Sequence, residues 1–194
     1  MADGDLENLT ISMLRLDLLD LPSVPLPGGY AMRLYQPDDA TLWTDIIGSA
    51  ETLISITDET FEKEFGGHLS ELEDRCHFLL DPKGRAVGSA TAWFSPNRKG
   101  DGVTYGLVHW VAIRPEAQGR GLCKPMLSVI LDRLSRSYEC AALTTSSRRI
   151  PAIKCYLDFG FIPDLECDRA VEGWSQVRSL LKHPTLEAIT GLKG

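Results

Sequence analysis

Residues 111–127, VAIRPEAQGRGLCKPML, join two patterns with different periods. Upstream, in VTYGLVHWVAIRP, Leu107, His109, Val111 and Ile113 alternate as on a strand, and Pro115 ends it. Downstream, Met126, Ile130, Leu131 and Leu134 recur at three- and four-residue spacings, which predicts a helix over about 122–135. Between the two lie Gly119 and Gly121, with Arg120 and Lys124 alongside. A strand that feeds a glycine turn into a helix N-terminus aims several unpaired N–H groups at one point, backed by the positive end of the helix dipole. That arrangement suits a phosphate or pyrophosphate. On spacing alone, the same glycines serve an ordinary turn equally well. A Rossmann fingerprint would need a third glycine, and a P-loop would need Gly-Lys-Ser/Thr; both are missing.

The flanking sequence predicts a mixed sheet. CHFLLDPKGRAVGSATAWF reads as a hairpin around Asp81-Pro82-Lys83-Gly84, and GYAMRLYQP as a strand before it. Helices are expected from about Ala40 to Ser49 and after Thr57 up to Gly66. ECAALTT reads as a buried strand. Pro151 opens a helix that Gly160 stops, and FGFIPDLE gives a short strand. In the tail, AVEGWSQVRSLLKHP spaces Val171, Trp174, Val177, Leu180 and Leu181 as one more amphipathic helix. Residues 1–26 are read as a leader, a strand or short helix ended by Pro22, Pro25 and Pro27; 27–167 as the main domain; 168–194 as a helical tail on that domain.

Composition narrows the partners. With 194 residues and 43% hydrophobic side chains, the chain suits a single well-covered core. Twenty basic against 27 acidic residues leave a net charge of −7, the wrong field for nucleic acid. The five cysteines form no CxxC and no zinc spacing with histidine, so no metal is expected and the thiols read as reduced. Asp3, Asp5 and Glu7 precede any basic residue, unlike a secretory signal, and no run of about 18 apolar residues predicts a membrane span. These features read as a cytoplasmic protein.

Two segments carry a resemblance. VAIRPEAQGRGLCKPML is similar to the acyl-CoA-binding signature of the GNAT N-acetyltransferase superfamily, Gln/Arg-x-x-Gly-x-Gly/Ala, through Gln118 and Gly121, with Cys123 in the last slot. RIPAIKCYLDFGF resembles the family's Ala-x-x-x-Tyr-x-x-x-Gly-Phe segment through Ala152, Tyr156, Gly160 and Phe161. The resemblance implies a three-layer α/β (α+β mixed) fold, its mostly antiparallel sheet flanked by helices. It implies acetyl-CoA as cosubstrate and a primary amine of a small molecule or peptide as acceptor.

By the same resemblance, the backbone of Val111, Ala112 and Ile113 would pair with the pantetheine. The amides of Gln118, Gly119, Arg120, Gly121, Leu122, Cys123 and Lys124 would hold the pyrophosphate, and Tyr156 would protonate the departing thiolate. A phenol is protonated at neutral pH and suits that task.

Several positions depart from the family. Arg149 stands where it often has Asn, and is a candidate for the CoA phosphates or an acidic acceptor. Cys123 sits at a helix start, where a thiol is acidified. His109, on the same side as Val111 and Ile113, reads as a packed core histidine or as a candidate general base; Tyr105, Asp101 and Glu51 are other candidates. Trp43, Trp93 and Trp110 are candidates to line an acceptor pocket or fill the core. The family commonly ends in a further strand, but the tail reads as helix. That strand is therefore expected to be absent or replaced, its edge capped by the helix or by a second subunit in a homodimer. The alternative reading is a CoA-binding module without turnover.

Overall fold

The computed structural model describes residues 7–190. Its centre is a seven-stranded sheet: β1 (Thr10–Arg15), β2 (Ala31–Leu34), β3 (Cys76–Leu80), β4 (Ala86–Pro96), β5 (Thr104–Ile113), β6 (Ala141–Ser146) and β7 (Ile162–Asp164), in the order β2-β3-β4-β5-β6-β1-β7. Every pairing is antiparallel except β5 with β6. Seven helices accompany it: α1 (Ala40–Ala50), α2 (Asp58–Phe65), α3 (Leu69–Arg75), α4 (Cys123–Ser135), α5 (Ile150–Asp158), α6 (Ala170–Leu180) and α7 (Pro184–Glu187). This is the expected three-layer α/β fold. The helices α3 and α7 are additions to the sequence reading; at seven and four residues, each is too short to show a period.

Two cores cover the sheet. On one face Ile130, Leu131 and Leu134 of α4, Ile153 and Leu157 of α5, and Trp174 and Val177 of α6 pack on Ile11, Met13, Val108 and Leu143. On the other, Trp43, Ile46 and Ile47 of α1 with Phe61 and Phe65 of α2 pack on Tyr35, Phe78 and Trp93. The second core is largely aromatic, with ring centroids of Trp43, Phe61, Phe65 and Trp110 mostly 5.3–5.5 Å apart at steep angles.

The stretch read as part of a leader supplies a strand of the sheet. Strand β1 pairs with β6 from Thr10↔Ser146 to Arg15↔Ala141 and with β7 at Ser12↔Asp164, and buries Ile11 and Met13 completely. Residues 1–6 of that leader lie outside the described residues. The tail is helical as expected, since α6 spans the residues where a last strand would fall. The expected cap of that edge by the helix is corrected here: β1 occupies the place beside β6, and α6 lies over β1. Their contact is tight, for a Cβ on Gly173 would come within 2.6 Å of Ile11 Cγ2.

Strand β5 carries an extra residue. Ser89 pairs with Ala112 and Thr91 with His109, so Trp110 and Val111 together face Ala90, and Trp110 takes φ +46°. The bulge changes which side chains share a face. Leu107, Trp110 and Ala112 join the aromatic core, whereas Val108, Val111 and Ile113 face α4. The expectation that His109 shares a side with Val111 and Ile113 is therefore overturned, because the bulge leaves it on the aromatic face, against Phe65.

Candidate active site

The glycine loop has the form expected of an anion cradle. Gly119 and Gly121 adopt φ +74° and +73°, which an L-residue with a Cβ disfavours, and a Cβ at either would point into open space. A short 3-10 turn, Pro115–Ala117, leads in, and Gln118 Nε2 donates to the Ile113 carbonyl at 2.8 Å, tying the loop to the end of β5. Among the described residues, none of the backbone N–H groups of Gly119, Arg120, Gly121, Leu122, Cys123 and Lys124 donates to a protein acceptor. The first turn of α4 holds no acidic residue. Arg120 bonds only neutral groups, the Tyr30 hydroxyl at 3.3 Å and the Glu116 carbonyl at 2.9 Å. Lys124 is differently placed. It pairs with Asp158 at 2.9 Å, a carboxylate also held by Lys154 at 2.9 Å. Burial works against ionisation of Asp158, but these two ammonium groups outweigh it and bring its pKa to about 2.

Beside the loop the sheet opens. Strands β5 and β6 pair only at Gly106↔Ala141 and Leu107↔Ala142, and beyond these the two strands have no pairing. Val111, Ala112 and Ile113 therefore keep β4 on one side and present an unpaired strand edge to the gap on the other. An extended chain of amides would find hydrogen-bonding partners there.

Tyr156 lies on α5, in the core that α4 and α5 share with the sheet. It is 7% exposed, packs edge-on against Phe161 with centroids 6.1 Å apart, and no described residue hydrogen-bonds its hydroxyl. Burial above all, and then the nearby Cys123 and Cys155, push its pKa well up, so the phenol keeps its proton. Cys123 and Cys155 face each other; the thiol of Cys155 lowers the pKa of Cys123, and its own is raised in return.

On the opposite face, Glu64 of α2 joins two β5 side chains. Its Oε2 lies 3.0 Å from His109 Nε2 and accepts from Trp110 Nε1 at 3.1 Å. The His109 contact, assisted by Trp110, holds the Glu64 carboxyl below the usual range despite its burial. The left-handed backbone at Trp110 costs about 1–2 kcal/mol, offset by this hydrogen bond and by the ring contact with Trp43. Trp43 and Trp93 are buried core residues, while Trp110 is partly open.

Arg149 caps the start of α5 and pairs with Glu51, whose carboxylate also accepts from Thr52 N at 2.9 Å and Leu53 N at 2.7 Å. The pair links the end of α1 to the start of α5. Asp101 and Tyr105 bond each other at 3.0 Å at the start of β5, the paired end of the sheet. Glu64 had not been singled out from sequence: it sits 45 residues from His109, between Phe61 and Phe65, which α2 buries.

The chain matches the model of the acetyltransferase (GNAT) family over residues 43–161, more than half its length. It belongs to the GNAT acetyltransferase family. Solved structures share the fold. A GCN5-related N-acetyltransferase from Sphaerobacter thermophilus aligns with a TM-score of 0.62 at 17% identity, over 80% of this chain and 48% of that one. A GNAT acetyltransferase from Colwellia psychrerythraea gives 0.61 at 12% identity, over 83% and 55%. One from Novosphingobium aromaticivorans gives 0.52 at 19%, over 82% and 61%. This chain thus spans about half to three-fifths of the length of these three structures. No curated protein matches it.

GNAT proteins generally use acetyl-CoA, and the residues present suit it, with six open amides at the loop and a bare strand edge leading inward. Strand β1 and helix α6 lie outside the matched segment. Among the described residues, no group of His, Cys, Asp and Glu could hold a metal, and no helix is long and apolar enough to cross a membrane.

Proposed function

We propose that this GNAT protein is an N-acetyltransferase that moves an acetyl group from acetyl-CoA directly to a primary amine. One observation supports the reading: beside the glycine loop, whose amides from Gly119 to Lys124 are open, β5 and β6 separate and leave the edge of Val111, Ala112 and Ile113 bare. The amides from Gly119 to Lys124 hold the pyrophosphate, that of Gln118 being bonded to the Pro115 carbonyl, and the edge of Val111, Ala112 and Ile113 holds the pantetheine. Acetyl-CoA supplies an activated acetyl thioester. Strand-edge amides turned toward the gap stabilise charge on its carbonyl oxygen.

His109 takes the proton that the amine loses as its nitrogen bonds the acyl carbon. With Nε2–H donating to Glu64, its lone pair is on Nδ1, and Glu64 fixes that tautomer. Tyr156 gives its proton to the sulfur as the carbon–sulfur bond breaks. The raised pKa does not disqualify it, because the burial that disfavours a phenolate disfavours a thiolate in the same place. Arg149 acts on the architecture, since its pairing with Glu51 occupies it.

A thermal-shift titration with acetyl-CoA, with ATP and NAD as controls, tests the cosubstrate. At 100 times its Kd a ligand stabilises by about 2.7 kcal/mol, which for this size is roughly 5–10 °C. A shift with acetyl-CoA alone is expected; no shift with any of the three would overturn the proposal.

A further inference from the structure

We infer that the acceptor is a primary amine that also carries an anionic group, a carboxylate or a phosphate, and that Arg98 receives that group. The inference rests on the acetyltransferase reading above and adds the substrate class. Arg98 belongs to the loop between β4 and β5, which folds over the strands beyond the gap. Its Nη2 donates to Thr144 Oγ1 of β6 at 2.7 Å and to Ser12 Oγ of β1 at 3.3 Å. Those two hydroxyls are 3.3 Å apart and belong to residues paired across the strands.

Their face is the acceptor side. Leu107 pairs with Ala142 and packs in the aromatic core, whereas Ala141 and Leu143 face the other core; Thr144 therefore projects on the side that carries His109. Ser12 likewise projects away from Ile11 and Met13. Arg98 and His109 thus lie on one face of the sheet, on opposite sides of the opening between β5 and β6.

The charges around Arg98 set it apart from its neighbour. Lys99 is neutralised twice, by Asp164 at 3.0 Å and Glu166 at 2.6 Å. Arg98 has only the two hydroxyls; among the described residues no carboxylate pairs with it. Hydroxyls orient a guanidinium without cancelling its charge, and its remaining N–H groups form a planar fork that fits a carboxylate or phosphate with two parallel bonds. Arg98 also lines a cavity of about 490 Å³ with Ser95, Lys99, Asp164, Glu166 and Cys167. Asp164 and Glu166 are turned to Lys99, so the cation they leave uncompensated is Arg98.

The test uses matched amines: glycine against glycinamide, and phosphoethanolamine against ethanolamine, each with acetyl-CoA and release of free thiol as the readout. The expected result is a kcat/KM at least ten-fold higher for the charged member of one pair, and which pair shows it separates carboxylate from phosphate. Arg98→Met should raise KM for that charged amine at least ten-fold and erase the difference within the pair, and Arg98→Lys should restore part of it. Amines acetylated without regard to charge, or a preference that survives Arg98→Met, would overturn the inference while leaving the acetyltransferase reading intact. If Arg98→Met fails to fold, the wild-type comparison of each pair decides alone. Absence of both a thermal shift with acetyl-CoA and thiol release from every amine would overturn the acetyltransferase reading itself, and the inference with it.

Discussion

His109 Nε2 lies 3.0 Å from the carboxylate of Glu64, 45 residues earlier in the chain, and the same oxygen accepts from Trp110. One carboxylate thus clamps the two residues at the bulge of β5. Its pKa is held below the ordinary range, chiefly by His109, so the stability this contributes is present above the ordinary carboxylate pKa and lost as pH falls below it. Glu64→Gln should cost about 1 kcal/mol at pH 7, or roughly 2–4 °C in Tm. The difference from wild type should shrink below about pH 4. Thermal unfolding of both proteins at several pH values checks this; a difference independent of pH would remove the ionic part of the argument.

Replacing His109 by Gln should lower kcat/KM about 100-fold, the low end for loss of a general base. Acetyl-CoA affinity should hardly change, since the imidazole lies on the aromatic face against Phe65, opposite the face that α4 covers. A parallel loss of acetyl-CoA binding, measured by calorimetry, would place His109 in the cosubstrate site instead.

Tyr156→Phe should reduce kcat about 100-fold and keep the fold, because only a hydroxyl without a protein partner is removed from a packed ring. Unchanged turnover would take Tyr156 out of the mechanism.

Gly121→Ala separates loop geometry from packing. A Cβ there meets nothing, so the penalty is the left-handed backbone, about 1 kcal/mol. The affected amides belong to the phosphate cradle, and the Kd for acetyl-CoA should rise about ten-fold or more. Equal affinity in the two proteins would make the glycines an ordinary turn.

Gly173→Ala probes the join between the two ends of the chain. Its Cβ would press on Ile11, a β-branched side chain with no exposure and no room to turn, at an expected cost of 1–3 kcal/mol, roughly. Chemical denaturation measures it; a neutral result would mean that α6 does not hold β1 as tightly as the contact indicates.

The sequence reading found what repeats locally. The alternation of β5, the spacing of α4, Pro151 and Gly160 around α5, and the phase of α6 each lie within one element, and the structure has all four. What it missed depends on pairing between distant segments. In the sequence His109, Trp110 and Val111 look like three regular strand residues; only the register against Ser89 and Thr91 reveals the extra one, and with it the face on which His109 lies. TISMLR alone does not say that it will sit between β6 and β7, because that follows from which edge is left open. Nothing local separates Glu64 from the other acids of α2. A carboxylate between Phe61 and Phe65, on a turn that buries both, was the one available signal. Arg98 lies in a polar loop, NRKGDG, and its placement depends on hydroxyls 46 and 86 residues away.

Amine-dependent acetyl transfer is read out by thiol release from acetyl-CoA, with and without a panel of primary amines. Release should require an amine, saturate with it, and fall about 100-fold in Tyr156→Phe. Acetyl-CoA that binds yet releases no thiol with any amine would contradict it, and would make the chain a module that holds CoA without using it.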